Sequence, residues 1–211
     1  MKIRVSIADD HHIVTNGIAA MLKDHPLVEL VSVAQNGKTL LQQLEAQQPD
    51  VLLLDIHLPD IQGDELAKII TEQYPAVAIL VLTNMDQVFY VRNMFMNGVK
   101  GYLLKSANTP TLIEAIAAVS RGSQYLDAAM REQMAYELLD TRKAQTKPML
   151  TKKEQKILEL IAEEMTNSEI SKALFISIST VETHRLNLFF KLGVKNSAGL
   201  VRKAIQMGLI K

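Results

Sequence analysis

Residues 51–55 read Val-Leu-Leu-Leu-Asp, and this stretch decides how the rest of the chain is interpreted. The apolar run is too short for a free-standing helix, and it lacks the alternation of a strand with one wet face. Such runs are typical of parallel strands that are buried on both faces. We therefore predict a strand at Val51–Asp55. Similar runs rich in Val, Ile and Leu predict four more strands, at Ile3–Ala8, Leu30–Ala34, Ala78–Thr83 and Gly101–Leu104.

Segments with helical spacing separate and follow these runs, which gives five strand–helix repeats. Repeats of this kind predict a five-stranded parallel sheet with helices on both faces, the doubly wound and flavodoxin-like α/β arrangement. The predicted helices are Ile13–Lys23, Lys38–Gln47, Glu65–Tyr74, Gln87–Asn97 and Thr111–Arg121.

The composition excludes several classes of protein. The chain has 211 residues, of which 48% are apolar, and no cysteine, so it contains no disulfide framework and no thiolate metal site. No apolar run approaches the roughly 20 residues that span a bilayer. The N-terminus turns acidic at Asp9, before a secretory segment could form. We expect a cytoplasmic protein that does not enter the membrane.

Acidic and basic residues are separated along the chain. Residues 1–140 hold 10 Lys and Arg against 17 Asp and Glu, whereas residues 141–211 hold 13 against 6. The formal net charge of zero therefore conceals one part at −7 and another at +7. This pattern predicts an acidic domain joined to a basic domain that binds a polyanion.

The boundary between the two parts is predicted from a polar segment, Asp140–Pro148, which ends in proline and is typical of a linker. Helical spacing at Ala128–Leu139 precedes it. We divide the chain into a first domain at 1–125, a helix and linker at 126–148, and a second domain at 149–211.

The second domain is predicted to contain four helices. Thr151–Glu154 and Thr166–Glu169 have the capping-box pattern that begins a helix, and Ser179–Glu182 has the same pattern and opens a third. Gly193 would end the third helix, and Ala198–Met207 would form the fourth.

Polar residues follow several of the predicted strands, and ligands of such sheets bind at the carboxyl ends of the strands. The residues gathered there are Asp9, Asp10, Asp55, Thr83 and Lys105. Clustered carboxylates form the hard oxygen site that suits Mg²⁺. Neither a catalytic His nor a Ser triad is evident, so we do not expect an enzyme. His11 and His12 adjoin at a helix start, which favours capping or surface roles.

Four motifs in this order resemble the receiver domain of response regulators, over about residues 1–125. They are Ile7–His11, Leu52–Pro59 followed by Gly63, Leu80–Thr83, and Gly98–Lys105. The resemblance implies that Asp55 is the phosphoacceptor. It further implies a Mg²⁺ site formed by Asp10, Asp55 and the backbone carbonyl of His57, with Asp9 assisting. Thr83 and Tyr102 would be the switch pair and Lys105 the phosphate partner.

Residues 151–211 resemble the LuxR-type output domain of the NarL/FixJ subfamily. The resemblance is carried by Leu150–Leu158, Thr166–Ile170, Ile176-Ser177, Thr180–Arg185, Lys191–Val194 and Gly208–Ile210. It implies a helix-turn-helix formed by the second and third helices, with the third in the major groove. The candidate DNA contacts are Thr180, Glu182, Thr183, His184, Arg185, Asn187 and Lys191. The candidate dimer contacts on the last helix are Val201, Ala204 and Ile205.

Several residues depart from these family patterns. Asn84 stands where the residue after the switch Thr is usually small, and Ser106 stands where many receivers have Pro. Basic residues are common where Glu182, Leu186 and Phe190 fall. Glu182 has two possible roles, as a cap that closes the pattern from Ser179 or as a groove residue that accepts a hydrogen bond from cytosine.

Together these features predict a transcription factor that is switched by phosphorylation of Asp55. Its partners would be a sensor histidine kinase or small phosphodonor and double-stranded DNA, and it would form a homodimer when phosphorylated or bound to DNA. The alternative is a signalling adaptor whose C-terminal helical domain binds protein.

Overall fold

The computed structural model describes residues 2–139, 150–194 and 196–210. The chain divides into two compact units, Met1–Tyr136 and Glu137–Lys211, and the predicted linker Asp140–Pro148 lies outside the described residues. Strands and helices alternate through most of the first unit. In chain order they are β1 (Ile3–Ala8), α1 (His12–Leu22), β2 (Val28–Ala34), α2 (Gly37–Ala46), β3 (Val51–Leu54), α3 (Gly63–Gln73), β4 (Ala78–Thr83), α4 (Val88–Met96), β5 (Gly101–Leu104), α5 (Thr109–Ser120), β6 (Tyr125–Leu126) and α6 (Ala128–Leu139).

The strands form one parallel sheet in the order β2-β1-β3-β4-β5-β6. The predicted parallel sheet is therefore confirmed, but it has six strands and not five. The sixth strand pairs Tyr125 with Gly101, and its two residues are too short to produce a recognisable hydrophobic pattern. The chain leaves β1 for one side of the sheet and reaches β3 on the other, so the crevice of the fold opens between the ends of β1 and β3.

Both faces of the sheet are buried, as the apolar runs require. On one face, alternate strand residues such as Val5 and Leu53 pack with Ile18 of α1 and Ile116 of α5. Intervening residues of the central strands, such as Leu52 of β3 and Ile79 of β4, are also buried. Packing on both faces fixes the position of each strand along its own axis. The strands therefore end at the same edge of the sheet.

The second unit is built from helices around its own apolar core. The described helices are α7 (Lys152–Ala162), α8 (Asn167–Leu174), α9 (Ile178–Leu192) and α10 (Ser197–Gln206). Two predicted capping boxes are confirmed, because Thr151 and Glu154 bond reciprocally at the start of α7, and Thr166 and Glu169 do so at α8. Gly193 ends α9 in the left-handed conformation, as predicted.

The predicted start of α9 is wrong. Its N-cap is Ser177, whose hydroxyl accepts a hydrogen bond from the backbone N–H of Thr180. Ser179 therefore lies inside the helix, and Glu182 is too far along α9 to complete a capping box. Three residues separate α8 from α9, which is the short connection of a helix-turn-helix. Among the described residues, no helix is both long and apolar enough to cross a membrane.

Candidate functional site

Strand pairing brings the predicted acidic residues together. Ala8 is the register partner of Leu54, so Asp9 and Asp55 emerge side by side from neighbouring strands. Thr83 pairs with Leu104 in the same sheet, which places Lys105 directly beyond Thr83. The backbone N–H of Lys105 donates to the carbonyl of Thr83, and this bond holds the end of β5 in place.

The ammonium group of Lys105 bridges two of these carboxylates. Its Nζ lies 2.7 Å from Oδ2 of Asp9 and 2.7 Å from Oδ2 of Asp55. Both carboxylates are 3% exposed and the Lys105 side chain is 8% exposed. Burial of charges without partners is costly, so the three groups are held as one unit. Sequence analysis placed all three at this edge, and the structure brings them into contact.

Burial and mutual attraction act in opposite directions on this unit. Burial raises the pKa of Asp55, and the positive charge of Lys105 only partly offsets that rise. Burial alone would lower the pKa of Lys105, but Asp55 and Asp9 reverse the effect and its pKa is raised. The site therefore keeps a firmly protonated Lys beside a carboxylate that is poorly solvated.

Asp10 lies at the exposed rim of the site, and His11 lies beside it. Nδ1 of His11 is 2.7 Å from Oδ1 of Asp10 and 3.1 Å from Oδ1 of Asp9. His11 occupies the N-cap position of α1, but its side chain is exposed and makes no capping bond, so of the two predicted roles, capping and surface, it has the surface role. The surface role holds for His12, which is exposed and contacts Gln35 through Nδ1.

The donor set of this edge fits a divalent cation. One ligand atom from each of Asp9, Asp10, His11 and Asp55 lies within 4.8 Å of all the others. Carboxylate oxygens are the donors that Mg²⁺ accepts, together with waters. The role of the His57 carbonyl stays a prediction. The imidazole of His57 is half-buried, its Nε2 is buried with no described hydrogen-bond partner, and burial lowers its pKa.

The two residues of the predicted switch pair contact the same peptide segment. The backbone N–H of Met85 donates to Oγ1 of Thr83 at 3.2 Å. The hydroxyl of Tyr102 donates to the carbonyl oxygen of Met85 at 2.9 Å. Thr83 and Tyr102 are 1% and 0% exposed, so both bonds are shielded from water. Met85 was missed because an apolar side chain does not reveal the bonds that its backbone makes.

Asn84 and Ser106 are the two residues near this site that differ from the family pattern. Asn84 is exposed beside the buried Thr83, so its side chain does not enter the core. The peptide between Lys105 and Ser106 is trans, as are all described peptide bonds.

A second missed residue fixes the loop that follows β3. The carboxylate of Asp60 accepts hydrogen bonds from the backbone N–H groups of Gly37, Lys38 and Ile61. Two of those groups belong to the unsatisfied first turn of α2, where a negative charge is favourable. These bonds outweigh the opposing effect of desolvation and lower the pKa of Asp60. An Asp in a loop is too common a feature to have identified it.

The second candidate site is α9. Its predicted DNA contacts differ in how far they are buried. Nζ of Lys191 lies 2.7 Å from Oε2 of Glu154 in α7, and the two side chains are 15% and 3% exposed. Asn187 is 8% exposed and belongs to the buried side of the helix. Packing of α7 against α9 covers most of Asn187 and pairs the half-buried Lys191 with Glu154, and the DNA contacts of these two residues stay predictions.

Arg185 and His184 are half-buried. The guanidinium of Arg185 donates to Oγ of Ser197 at 2.6 Å, and burial lowers its pKa. Burial also lowers the pKa of His184, whose Nδ1 is buried with no described partner. The bond from Arg185 to Ser197 thus connects α9 to the first residue of α10.

The first turns of α9 remain accessible. Glu182 is exposed, and its Oε1 lies 3.4 Å from Nδ2 of Asn167 in α8, so it acts neither as a cap nor as a core residue. The hydroxyl of Thr183 donates a hydrogen bond to the carbonyl oxygen of Ser179. Thr180 shares a hydroxyl contact with Ser177. Leu186 and Phe190 are half-buried.

The three predicted dimer contacts on α10 also differ in exposure. Ala204 is fully buried in the core of the second unit, so it is not available as a direct contact. Ile205 is 52% exposed and Val201 is half-buried. These two residues line an open groove of about 790 Å³ beside α7 and α8.

Comparison with known proteins assigns each unit. The response regulator receiver domain matches residues 5–117, and the luxR family of bacterial regulatory proteins matches residues 148–204. The oxygen regulatory protein NreC of Staphylococcus carnosus is 34% identical over 215 residues, which cover 99% of each chain. NreC of Staphylococcus aureus is 33% identical over 216 residues, covering 99% of this chain and all of that protein.

Solved structures agree with these matches. RcsB of Salmonella enterica serovar Typhimurium, bound to promoter rprA with a phosphomimetic, is 27% identical with a TM-score of 0.60, covering 96% of this chain and 98% of that chain. The response regulator ChrA of a heme-sensing two-component system is 28% identical with a TM-score of 0.54 and 99% coverage of both chains. The chain belongs to the response regulators that join a receiver domain to a LuxR-type helix-turn-helix domain.

Proposed function

We propose that this response regulator is a transcription factor whose affinity for DNA is set by phosphorylation of Asp55. The observation that carries the proposal is the bridge from Lys105 to Asp9 and Asp55 at the crevice of a parallel sheet. The receiver spans 1–125 and the DNA-binding domain 149–211. The phosphodonor is a sensor histidine kinase or a small acyl phosphate. The protein acts in the cytoplasm and catalyses only transfer to, and hydrolysis from, its own Asp55.

Asp55 supplies the nucleophile. Lys105 engages Oδ2 of Asp55, which leaves Oδ1 as the oxygen that attacks phosphorus. The new O–P bond forms an acyl phosphate, and the P–N bond of a phosphohistidine, or the P–O bond of a small donor, breaks with its electron pair leaving on the donor. Lys105 then partners a phosphoryl oxygen.

Asp9, Asp10, Asp55 and the carbonyl of His57 would hold Mg²⁺. When bound, this ion offsets the negative charge that collects on the carboxylate and phosphoryl oxygens. The fit rests on the close set of oxygen donors described above. The residues themselves position the acceptor and keep it shielded from water.

The peptide of Met85 links the acceptor to the rest of the receiver. The Thr83 hydroxyl, which accepts a hydrogen bond from the Met85 N–H, would donate its proton to a phosphoryl oxygen and turn toward it, drawing the Met85 segment along. Movement of that segment changes the bond between Met85 and Tyr102. Phosphorylation at the sheet edge is thereby transmitted to the β4–α4 connection.

The helix-turn-helix binds double-stranded DNA, with the first turns of α9 in the major groove. Dimeric binding is supported by RcsB, for which two dimers are described on two parallel DNAs. Val201 and Ile205 are the accessible members of the predicted dimer surface. We expect a homodimer when Asp55 is phosphorylated or the protein is on DNA, and light scattering of a monomer under all of these conditions would contradict it.

The direct test is labelling with a small phosphodonor and Mg²⁺, followed by intact-mass analysis. The unmodified chain should gain one phosphoryl group, and Asp55→Asn should gain none. Asp24→Asn is the matched control. Asp24 is exposed, has a positive φ that Asn tolerates, and lies outside the acidic edge, which is formed by Asp9, Asp10 and Asp55 at the carboxyl ends of the strands. Selection of bound sequences from random DNA, with and without beryllofluoride, tests the output. Full labelling of Asp55→Asn, or no enrichment of any duplex, refutes the proposal.

A further inference from the structure

We infer that His11 is a metal ligand that lets the acidic edge bind divalent transition ions more tightly than carboxylates alone would allow. The relevant ions are those that accept imidazole, such as Ni²⁺ and Zn²⁺. This inference rests on the proposed function only in that both use the same carboxylates. It adds a nitrogen donor to a site otherwise made of oxygen.

The geometry places one ring nitrogen of His11 among the carboxylate oxygens. Nδ1 approaches Asp10 and Asp9 at 2.7 and 3.1 Å, and with Asp55 the four ligand atoms lie within 4.8 Å. Ligands on opposite sides of an ion at a metal–ligand distance of about 2.1 Å are about 4.2 Å apart. Side-chain adjustments of a few tenths of an ångström therefore suffice to close the four atoms around one ion.

The neighbouring bonds leave this ligand set available. Lys105 takes Oδ2 of both Asp9 and Asp55. Oδ1 of Asp9 instead faces His11, where it also accepts the backbone N–H of His11 at 2.9 Å. That bond fixes the N-cap residue of α1 against the site. Because the His11 side chain is 61% exposed and makes no capping bond, an ion reaches Nδ1 without disturbing the helix.

Ligand chemistry distinguishes two classes of ion at this edge. Mg²⁺ prefers oxygen and retains several waters, so it gains little from an imidazole. Ni²⁺ and Zn²⁺ bind imidazole well and stand higher in the divalent affinity series. His11 therefore changes the selectivity of the site, and an ion pair between imidazolium and carboxylate would not do so.

The experiment compares His11→Ala with His12→Ala in the full-length chain. His12 is the adjacent exposed His and contacts Gln35 instead of the carboxylates, so it controls for adventitious binding to imidazole. Isothermal titration with Ni²⁺ and with Mg²⁺ measures both affinities. We expect His11→Ala to weaken Ni²⁺ about tenfold or more and Mg²⁺ less than about twofold, with His12→Ala unchanged for both.

A second variant and a spectroscopic readout guard against misfolding. His11→Asn supplies a favourable N-cap residue without an imidazole and should lose Ni²⁺ in the same way. In NMR spectra, substoichiometric Ni²⁺ should broaden the ring signals of His11 before those of His12. Unchanged Ni²⁺ affinity, or equal weakening of Ni²⁺ and Mg²⁺, overturns the inference. Failure of Mg²⁺ to bind the unmodified protein would instead contradict the metal site of the proposed function.

Discussion

Replacement of Lys191 by Met should destabilise the second unit without removing a DNA contact. Lys191 is paired at 2.7 Å with Glu154, whose side chain is only 3% exposed. Loss of one partner of a buried pair typically costs about 3–5 kcal/mol, because the other charge stays buried. Glu154 keeps its bond from the Thr151 N–H at 2.7 Å. We therefore expect a loss of about 2–3 kcal/mol at neutral pH.

Amide hydrogen exchange in the full-length protein measures this loss locally. A destabilisation of 2 kcal/mol should speed exchange in α7 and α9 by about 30-fold. Lys203→Met is the matched control, since it removes the same charge from an exposed residue of α10. Unchanged exchange in Lys191→Met, together with a salt dependence of DNA binding reduced by about one unit, would refute the structural role.

The stability lost on Lys191→Met should depend on pH in a definite direction. Desolvation alone would raise the pKa of Glu154, but bonds from Lys191 and Thr151 outweigh it and the pKa is lowered. A lowered carboxyl pKa contributes stability above the unfolded value of about 4.3, and that stability is lost as pH falls through the folded value. The cost of Lys191→Met should therefore be full at neutral pH and shrink in acid.

Three further outcomes are expected. Glu164 has a φ of 62° after α7, so Glu164→Gly should stabilise the second unit by about 1 kcal/mol, and an unchanged or lower urea midpoint would contradict this. Tyr102→Phe leaves the carbonyl of buried Met85 without its 2.9 Å donor and should cost about 1–2 kcal/mol in chemical denaturation; no loss would show that another donor replaces it. Burial lowers the pKa of His184, so the folded state resists protonation and stability should fall as pH drops below the unfolded value of about 6.5. His184→Gln should flatten that fall in exchange measurements on α9.

The acidic edge could be predicted from sequence because it depends on topology alone. Parallel strands of matched height end at one edge, so Asp9, Asp55 and Lys105 had to meet there once the strands were recognised. The side-chain details did not follow in the same way. The bond partners of His11 and Asp60 depend on rotamers and loop paths that no periodic pattern encodes. The sixth strand was missed for a related reason, since two residues carry no period.

The helix-turn-helix shows the opposite balance between pattern and packing. The apolar spacing of Val181, Leu188 and Leu192 along α9 places them on one face of the helix, and all three are buried. It did not identify Asn187, which is also buried, because a polar residue beside the apolar stripe is assigned to solvent unless its neighbours are known. The pairing of Lys191 with Glu154 was missed for the same reason, since Glu154 belongs to another helix 37 residues earlier.

In the proposed DNA complex, we expect different residues to supply affinity for phosphates and recognition of the base sequence. The basic residues predicted on α9, Arg185 and Lys191, are both bonded within the second unit, so neither is a freely exposed cation. The exposed groups at the start of α9 are neutral or acidic and include Glu182. Exposed positive charge is found on neighbouring helices, at Lys153 and Lys172. Phosphate contacts fix position whereas groove contacts select sequence, so we expect the flanking helices to supply most of the salt-dependent affinity and the first turns of α9 to supply the sequence discrimination.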